Sequence, residues 1–162
     1  MVGVDLLVYS AGIAKAVYPA TSSSASFDRS LQVNLVGYFL CAREFSRLMI
    51  RDGIQGRIIQ INSKSGKVGS KHNSGYSAAK FGGVGLTQSL ALDLAEYGIT
   101  VHSLMLGNLL KSPMFQSLLP TIRDQAGYQT GSSRAVLHRQ STAQTRLRLS
   151  RCAEYAAVLR QS

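Results

Sequence analysis

Apolar residues follow two different rhythms along this chain. Short continuous runs read as strands buried on both faces: VDLLVYS at 4–10, GRIIQIN at 56–62 and ITVHSLM at 99–105. Between them the spacing changes to steps of four and three. Leu31, Leu35, Tyr38, Ala42, Phe45 and Met49 place one apolar face on a helix over about 27–52, with Ser26 as N-cap and Gly53 as stop. A second long helix is predicted over about 75–97, ending near Gly98. KAVYPATSSSAS and the Gly-, Lys- and Ser-rich SKSGKVGSKHNS at 63–74 read as loops. LGNLLKSPMFQSLLP reads as a loop with a short helix.

Strands alternating with long helices imply an α/β fold with a parallel sheet and right-handed crossovers. Ligands of such sheets bind beyond the C-terminal strand ends. Ser10–Gly12 follow the first strand, Ser63 the second, and Gly107 and Asn108 the third.

The second helix opens with SGYSAAKFGG, which sets Tyr76 and Lys80 one turn apart on a shared face. A free phenol titrates near ~10 and is a poor base at neutral pH. An ammonium within about 4–6 Å favours the phenolate and makes proton exchange with an alcohol or carbonyl oxygen feasible. Ser77, Ala78, Ala79, Gly82 and Gly83 are small enough for a bulky ligand or another helix to come close. A lone Y-x-x-x-K is also met as a tyrosine packed beside a surface lysine.

Composition narrows the class. At 162 residues, 45% hydrophobic and 16% charged, the chain has the balance of one globular domain. No apolar run approaches the ~20 residues of a membrane helix. No basic leader precedes the first apolar run, so no signal peptide is expected and the chain reads as cytoplasmic. Cys41 and Cys152 match no metal spacing and read as reduced thiols. The net charge of +10 raises the question of nucleic acid. Half of it lies in residues 121–162, without interleaved aromatics or a recognisable binding module, so no nucleic-acid partner is expected.

Other residues join the tyrosine and lysine. Ser63 ends a strand thirteen residues before Tyr76, Asn34 sits mid-helix in VNLVG, YSAG follows the first strand, and ITVHSLMLGNLLKSPM is a strand with a Gly turn. In this order and spacing, from Val4 to Pro120, the motifs resemble the short-chain dehydrogenase/reductase family, here as an incomplete Rossmann-like sheet. The longer stretches RSLQVNLVGYFLCAREFSRLMI and INSKSGKVGSKHNSGYSAAKFGG narrow the resemblance to NAD-dependent members that oxidise a polyol phosphate.

The resemblance implies roles. Tyr76 is the acid/base. Lys80 lowers its pKa and holds the nicotinamide ribose. Ser63 hydrogen-bonds the substrate oxygen, and Asn34 anchors a proton-relay water. Ala11, Gly12 and Gly107 lie at the cofactor. Lys64, Lys67 and Lys71, with Lys111 after the third strand, form a basic cluster suited to a sugar phosphate. His72 reads as a polar loop residue, His102 and Cys41 as structural. Family members assemble as dimers or tetramers through the helices that carry Asn34 and Tyr76.

The chain also departs from the family. Tyr9 and Ser10 replace two asparagines before Ala-Gly, and Leu106 replaces the proline before Gly107. No Gly-rich turn precedes the first strand, so the cofactor-binding first half and the acidic residue that selects NAD over NADP are expected to be missing. Residues 1–120 thus read as a partial catalytic domain. Residues 121–162 take 21 of their 42 residues from Arg, Ser, Gln and Thr, and read as a poorly ordered, out-of-frame tail. VYPATSSSAS at 17–26 reads as a smaller patch of the same kind. These departures raise a second reading: an inactive remnant, or a module that oligomerises through its helices. An exposed apolar sheet face and little turnover from this chain alone are expected.

Overall fold

The computed structural model describes residues 3–107 and 112–126, the last six by backbone alone. Asn108, Lys111, Cys152 and the tail beyond 126 lie outside the described residues. The chain divides into two units, Met1–Met105 and Leu106–Ser162.

In the first unit, β1 (Leu6–Tyr9) is short because Ser10, Ala11 and Gly12 stop it. It pairs in parallel with β2 (Arg57–Ser63), Leu6 opposite Arg57 and Tyr9 opposite Gln60. β3 (Thr100–Leu106) joins the other edge of β2, giving the order β1-β2-β3. The parallel α/β expectation holds, with each strand within two residues of its predicted bounds.

The first helical stretch begins at Ser24, three residues earlier than its apolar pattern. It runs as α1 (Ser24–Leu31), a π-turn (Gln32–Val36) and α2 (Gly37–Arg51). Ser23, not Ser26, is the N-cap, and its side chain makes no capping bond. Gly53, at φ 64°, stops the stretch as expected, since that conformation costs glycine little. Burial follows a different stripe from the predicted one at the start of this helix. Ser30 and Asn34 are buried where Leu31 and Leu35 were expected, because Ser30 faces the bare backbone of Gly75 and Asn34 bonds to Ile13 in the loop after β1.

The second helix, α3 (Ser74–Asp93), ends in a 3-10 turn (Ala95–Tyr97) before Gly98 at φ 67°. Its glycines admit protein. A Cβ on Gly75 would lie 3.2 Å from Phe27 Cα of α1, and one on Gly82 would lie 2.9 Å from Leu35 Cδ2.

Leu7, Tyr38, Met49, Ile58, Leu90 and Ile99 centre the core between α2, α3 and one sheet face. The opposite face of β1 is open: Leu6 is 42% exposed and Val8 48%. A polar layer lies beneath α3. Asn62 Nδ2 stands 3.2 Å from Gln60 Oε1, 3.0 Å from Ser103 Oγ and 3.1 Å from the Lys80 carbonyl. A Cβ on Gly83 would fall 2.4 Å from Gln60 Nε2, and Gln60 is fully buried with its oxygen already bonded. Gly83→Ala is therefore expected to overpack by about 1–3 kcal/mol, more than the ~1 kcal/mol that alanine adds to a helix. Urea unfolding should show a lower midpoint; an unchanged or higher one would mean that Gln60 can yield.

In the second unit, α4 (Pro113–Ala126) contains Pro120 and continues through the boundary that composition suggested at 120. Phe115 N–H donates to Ser112 Oγ at its start. No helix among the described residues is long and apolar enough to cross a membrane.

Candidate active site

Four elements of the first unit bring the predicted residues together. The loop after β1 carries Ala11 and Gly12, the π-turn carries Asn34, the end of β2 carries Ser63, and the first turns of α3 carry Tyr76 and Lys80.

Lys80 is the most constrained. It is 4% exposed, and its Nζ donates to the Ile61 carbonyl at 3.1 Å. Burial pushes its pKa down to about 8, because a charged ammonium loses hydration there. Its Nζ lies 5.5 Å from the centroid of the Tyr76 ring. Asn62 holds the same residue from behind through the Lys80 carbonyl.

Tyr76 differs from expectation in one respect. Its pKa is raised by burial, and the hydrogen bond from Ser63 is the influence that lowers it. The expected depression by Lys80 does not appear in this direction. The ammonium sits over the ring and donates to Ile61, not to the phenol oxygen, and burial disfavours its own charge. Ser63 also caps the 3-10 turn Lys64–Gly66, accepting from Ser65 N–H at 3.2 Å.

Asn34 is fully buried, and both amide hydrogens and one lone pair of its oxygen are engaged. Nδ2 donates to the Ile13 and Ser30 carbonyls, each at 2.9 Å, and Oδ1 accepts from Ile13 N–H at 3.2 Å. It thereby ties the loop after β1 to the helix. A Cβ on Gly12 would lie 3.0 Å from Asn34 Oδ1 and 3.9 Å from Lys80 Nζ, so bare backbone passes beside both groups. Ala11 is exposed at the same loop, while Gly107 belongs to the second unit, just past β3.

Lys64, Lys67 and Lys71 are exposed on the loop that follows Ser63. The 17–26 patch is joined to this loop: Val17 is buried, its N–H donates to the His72 carbonyl at 2.9 Å, and the rings of Tyr18 and His72 stack at 4.4 Å. Sequence reasoning missed Ile13, Asn62 and Tyr9 as supports. The first acts through its backbone and the second through a carbonyl eighteen residues on, so no residue pattern marks them. Tyr9 stood out only as a departure from the family's asparagine. Among the described residues, no group of His, Cys, Asp and Glu could hold a metal ion.

Known proteins resemble this chain in sequence and fold. The short chain dehydrogenase profile matches residues 1–123. Sorbitol-6-phosphate 2-dehydrogenase of Escherichia coli strain K12 is 87% identical over 124 residues, which cover 76% of this chain and 48% of that protein. The crystal structure of sorbitol-6-phosphate 2-dehydrogenase from Erwinia amylovora superposes with a TM-score of 0.72 at 83% identity, covering 76% of this chain and 48% of that one. 4-Hydroxyisoleucine dehydrogenase complexed with NADH and succinate superposes at 0.61 with 31% identity, covering 62% and 43%. The chain spans about half the length of the curated relatives it matches. It belongs to the short-chain dehydrogenase family.

Proposed function

We propose that the chain carries the catalytic residues of an NAD-dependent dehydrogenase that oxidises the 2-hydroxyl of sorbitol 6-phosphate to the ketone of fructose 6-phosphate. The observation that carries this reading is a chain of contacts: Ser63 bonds to Tyr76, Lys80 Nζ lies over the Tyr76 ring, and Lys80 and Asn34 both flank the bare backbone of Gly12. The names of the Escherichia coli and Erwinia relatives supply the substrate.

The residues present fit the nicotinamide end of NAD. Gly12 leaves space that a Cβ would fill beside Lys80 Nζ, which suits ribose hydroxyls. When bound, NAD would supply the acceptor for the hydride on the carbon that bears the hydroxyl. Tyr76, as the phenolate, takes the proton of the substrate hydroxyl and becomes the neutral phenol. Ser63 Oγ holds the same oxygen as charge develops on it. Lys80, with a pKa near neutrality, about 8, passes the proton on. Because both Asn34 amide hydrogens are already engaged, a relay water beside it would be held by backbone or by the remaining lone pair of Oδ1. Exposed Phe39 and Leu40 on α2, and Phe81 and Leu92 on α3, support assembly as a dimer or tetramer through those helices. A cytoplasmic site of action, with neither membrane nor nucleic acid as partner, completes the reading.

The test replaces the matching segment of the Escherichia coli relative by residues 1–123 of this chain. NADH formation from NAD and sorbitol 6-phosphate is expected from the chimera, and little or none from the 162-residue chain alone. A dead chimera that still binds NAD would overturn the reading. The remnant reading requires that the chain alone bind no cofactor.

Lys64, Lys67 and Lys71 would receive the 6-phosphate as point charges. Replacing Lys67 and Lys71 by Ala in the chimera should raise KM for sorbitol 6-phosphate roughly tenfold with kcat kept, since only binding common to ground and transition states is lost. An unchanged KM would place the phosphate elsewhere.

A further inference from the structure

Asn34 lies in a stretch of helix that has changed its hydrogen-bond register. Gly37 N–H donates to the Gln32 carbonyl, five residues back, and not to Val33, four back. The Val33 carbonyl has thereby lost the donor that an α-helix would give it. Its place is taken from another element: the phenol of Tyr9, on β1, donates to the Val33 carbonyl.

Two further observations bear on this contact. A Cβ on Gly37 would fall 2.5 Å from the Tyr9 hydroxyl oxygen, so the absence of a side chain at Gly37 is what admits the phenol. Tyr9 is 8% exposed, and its ring packs on Tyr38 at 5.5 Å between centroids. In the α-register, Gly37 N–H would claim the Val33 carbonyl and leave a buried hydroxyl without an acceptor, which is disfavoured. Tyr9 and Gly37 together therefore favour the π-register, and that register sets where Asn34 points.

We propose that Tyr9 is a positioning residue for Asn34: its phenol, admitted by Gly37, holds the π-turn that keeps the Asn34 amide on Ile13 and Ser30. The assignment of Asn34 to catalysis rests on the function proposed above, but the positioning itself does not. It predicts a local effect that needs no turnover to be seen.

The experiment is amide hydrogen exchange on the 15N-labelled chain, read at the Asn34 side-chain amide and at Ile13 N–H, with Ile59 N–H in β2 as internal reference. Tyr9→Phe is expected to speed exchange at both Asn34 and Ile13 by roughly tenfold relative to Ile59, the scale of one lost hydrogen bond. Gly37→Ala, which keeps the phenol but fills its space, should do the same and serves if the Phe variant does not fold. p-Aminophenylalanine at position 9 keeps a donor and should restore slow exchange. Exchange at Asn34 and Ile13 that keeps pace with Ile59 in both variants would overturn the proposal. Failure of the dehydrogenase assay alone, with the exchange pattern as expected, would reject the functional reading and leave the positioning intact.

Discussion

Tyr76→Phe should lower kcat/KM of the chimera for sorbitol 6-phosphate by about 10²–10⁴-fold, the usual contribution of a positioned acid/base. The ring stays, so packing near Lys80 and the fold should be little changed. Only the hydroxyl that exchanges the proton is removed, together with the hydrogen bond it receives from Ser63. Burial raises the pKa of this phenol, so in the absence of ligands it is protonated at neutral pH. The rate with the parent tyrosine should therefore rise with pH, and the residual rate of the Phe variant should lose that dependence. A variant that keeps more than about a tenth of the activity would remove Tyr76 from the chemistry.

The second large effect concerns stability. Lys80 titrates near 8 in the folded chain, against an ordinary 10.5. Between these values the unfolded chain binds a proton that the folded chain does not, so stability rises with pH across this window. The full difference amounts to about 3 kcal/mol. Below pH 8 the folded state carries the whole penalty of a buried ammonium. Above pH 10 the raised phenols of Tyr9, Tyr38 and Tyr76 act in the opposite sense, because the folded chain then keeps protons that the unfolded chain has lost. Urea unfolding from pH 7 to 9.5 should show the rise. Lys80→Met should flatten it and gain about 1–2 kcal/mol at pH 7, after allowing for the lost bond to Ile61. The same variant should be catalytically dead in the chimera, so its gain in stability would mark Lys80 as a group kept for function at the expense of the fold. A flat profile with the parent lysine would mean that the ammonium is hydrated.

Much of the sheet and the long helices was legible because their apolar residues repeat at two distinct periods. The bounds moved where local bonding overrode the period. The π-turn is the clearest case. Leu31, Leu35 and Tyr38 keep helical spacing across it, so apolar residues give no sign of a changed register. The sign was polar: Asn34, in mid-helix, is the residue whose amide donates to the Ser30 carbonyl. The candidate site was suggested by Tyr76, Lys80 and Ser63, whose spacing carries the family resemblance. Its electrostatics were not. Proximity of Lys80 and Tyr76 suggested a lowered phenol pKa, but the outcome depends on how deeply each is buried and on where the ammonium donates, and spacing encodes neither. Glycine content on α3 left open whether a ligand or protein comes close. Phe27, Leu35 and Gln60 fill those places.

The polar layer of Gln60, Asn62 and Ser103 has a consequence for how the sheet assembles. Neighbouring parallel strands made only of Ile, Leu and Val could slide past one another with little change in what they bury. Here a one-residue slip of β2 would turn Gln60 and Asn62 to the opposite face and set Ile59 and Ile61 beneath Gly83 and the Lys80 carbonyl. The slipped strand would strand two amides without their present partners and detach the Lys80 carbonyl from its donor. Mispaired chains would thus be penalised most at the strand that ends in Ser63, so this unit recognises its correct alignment there during folding.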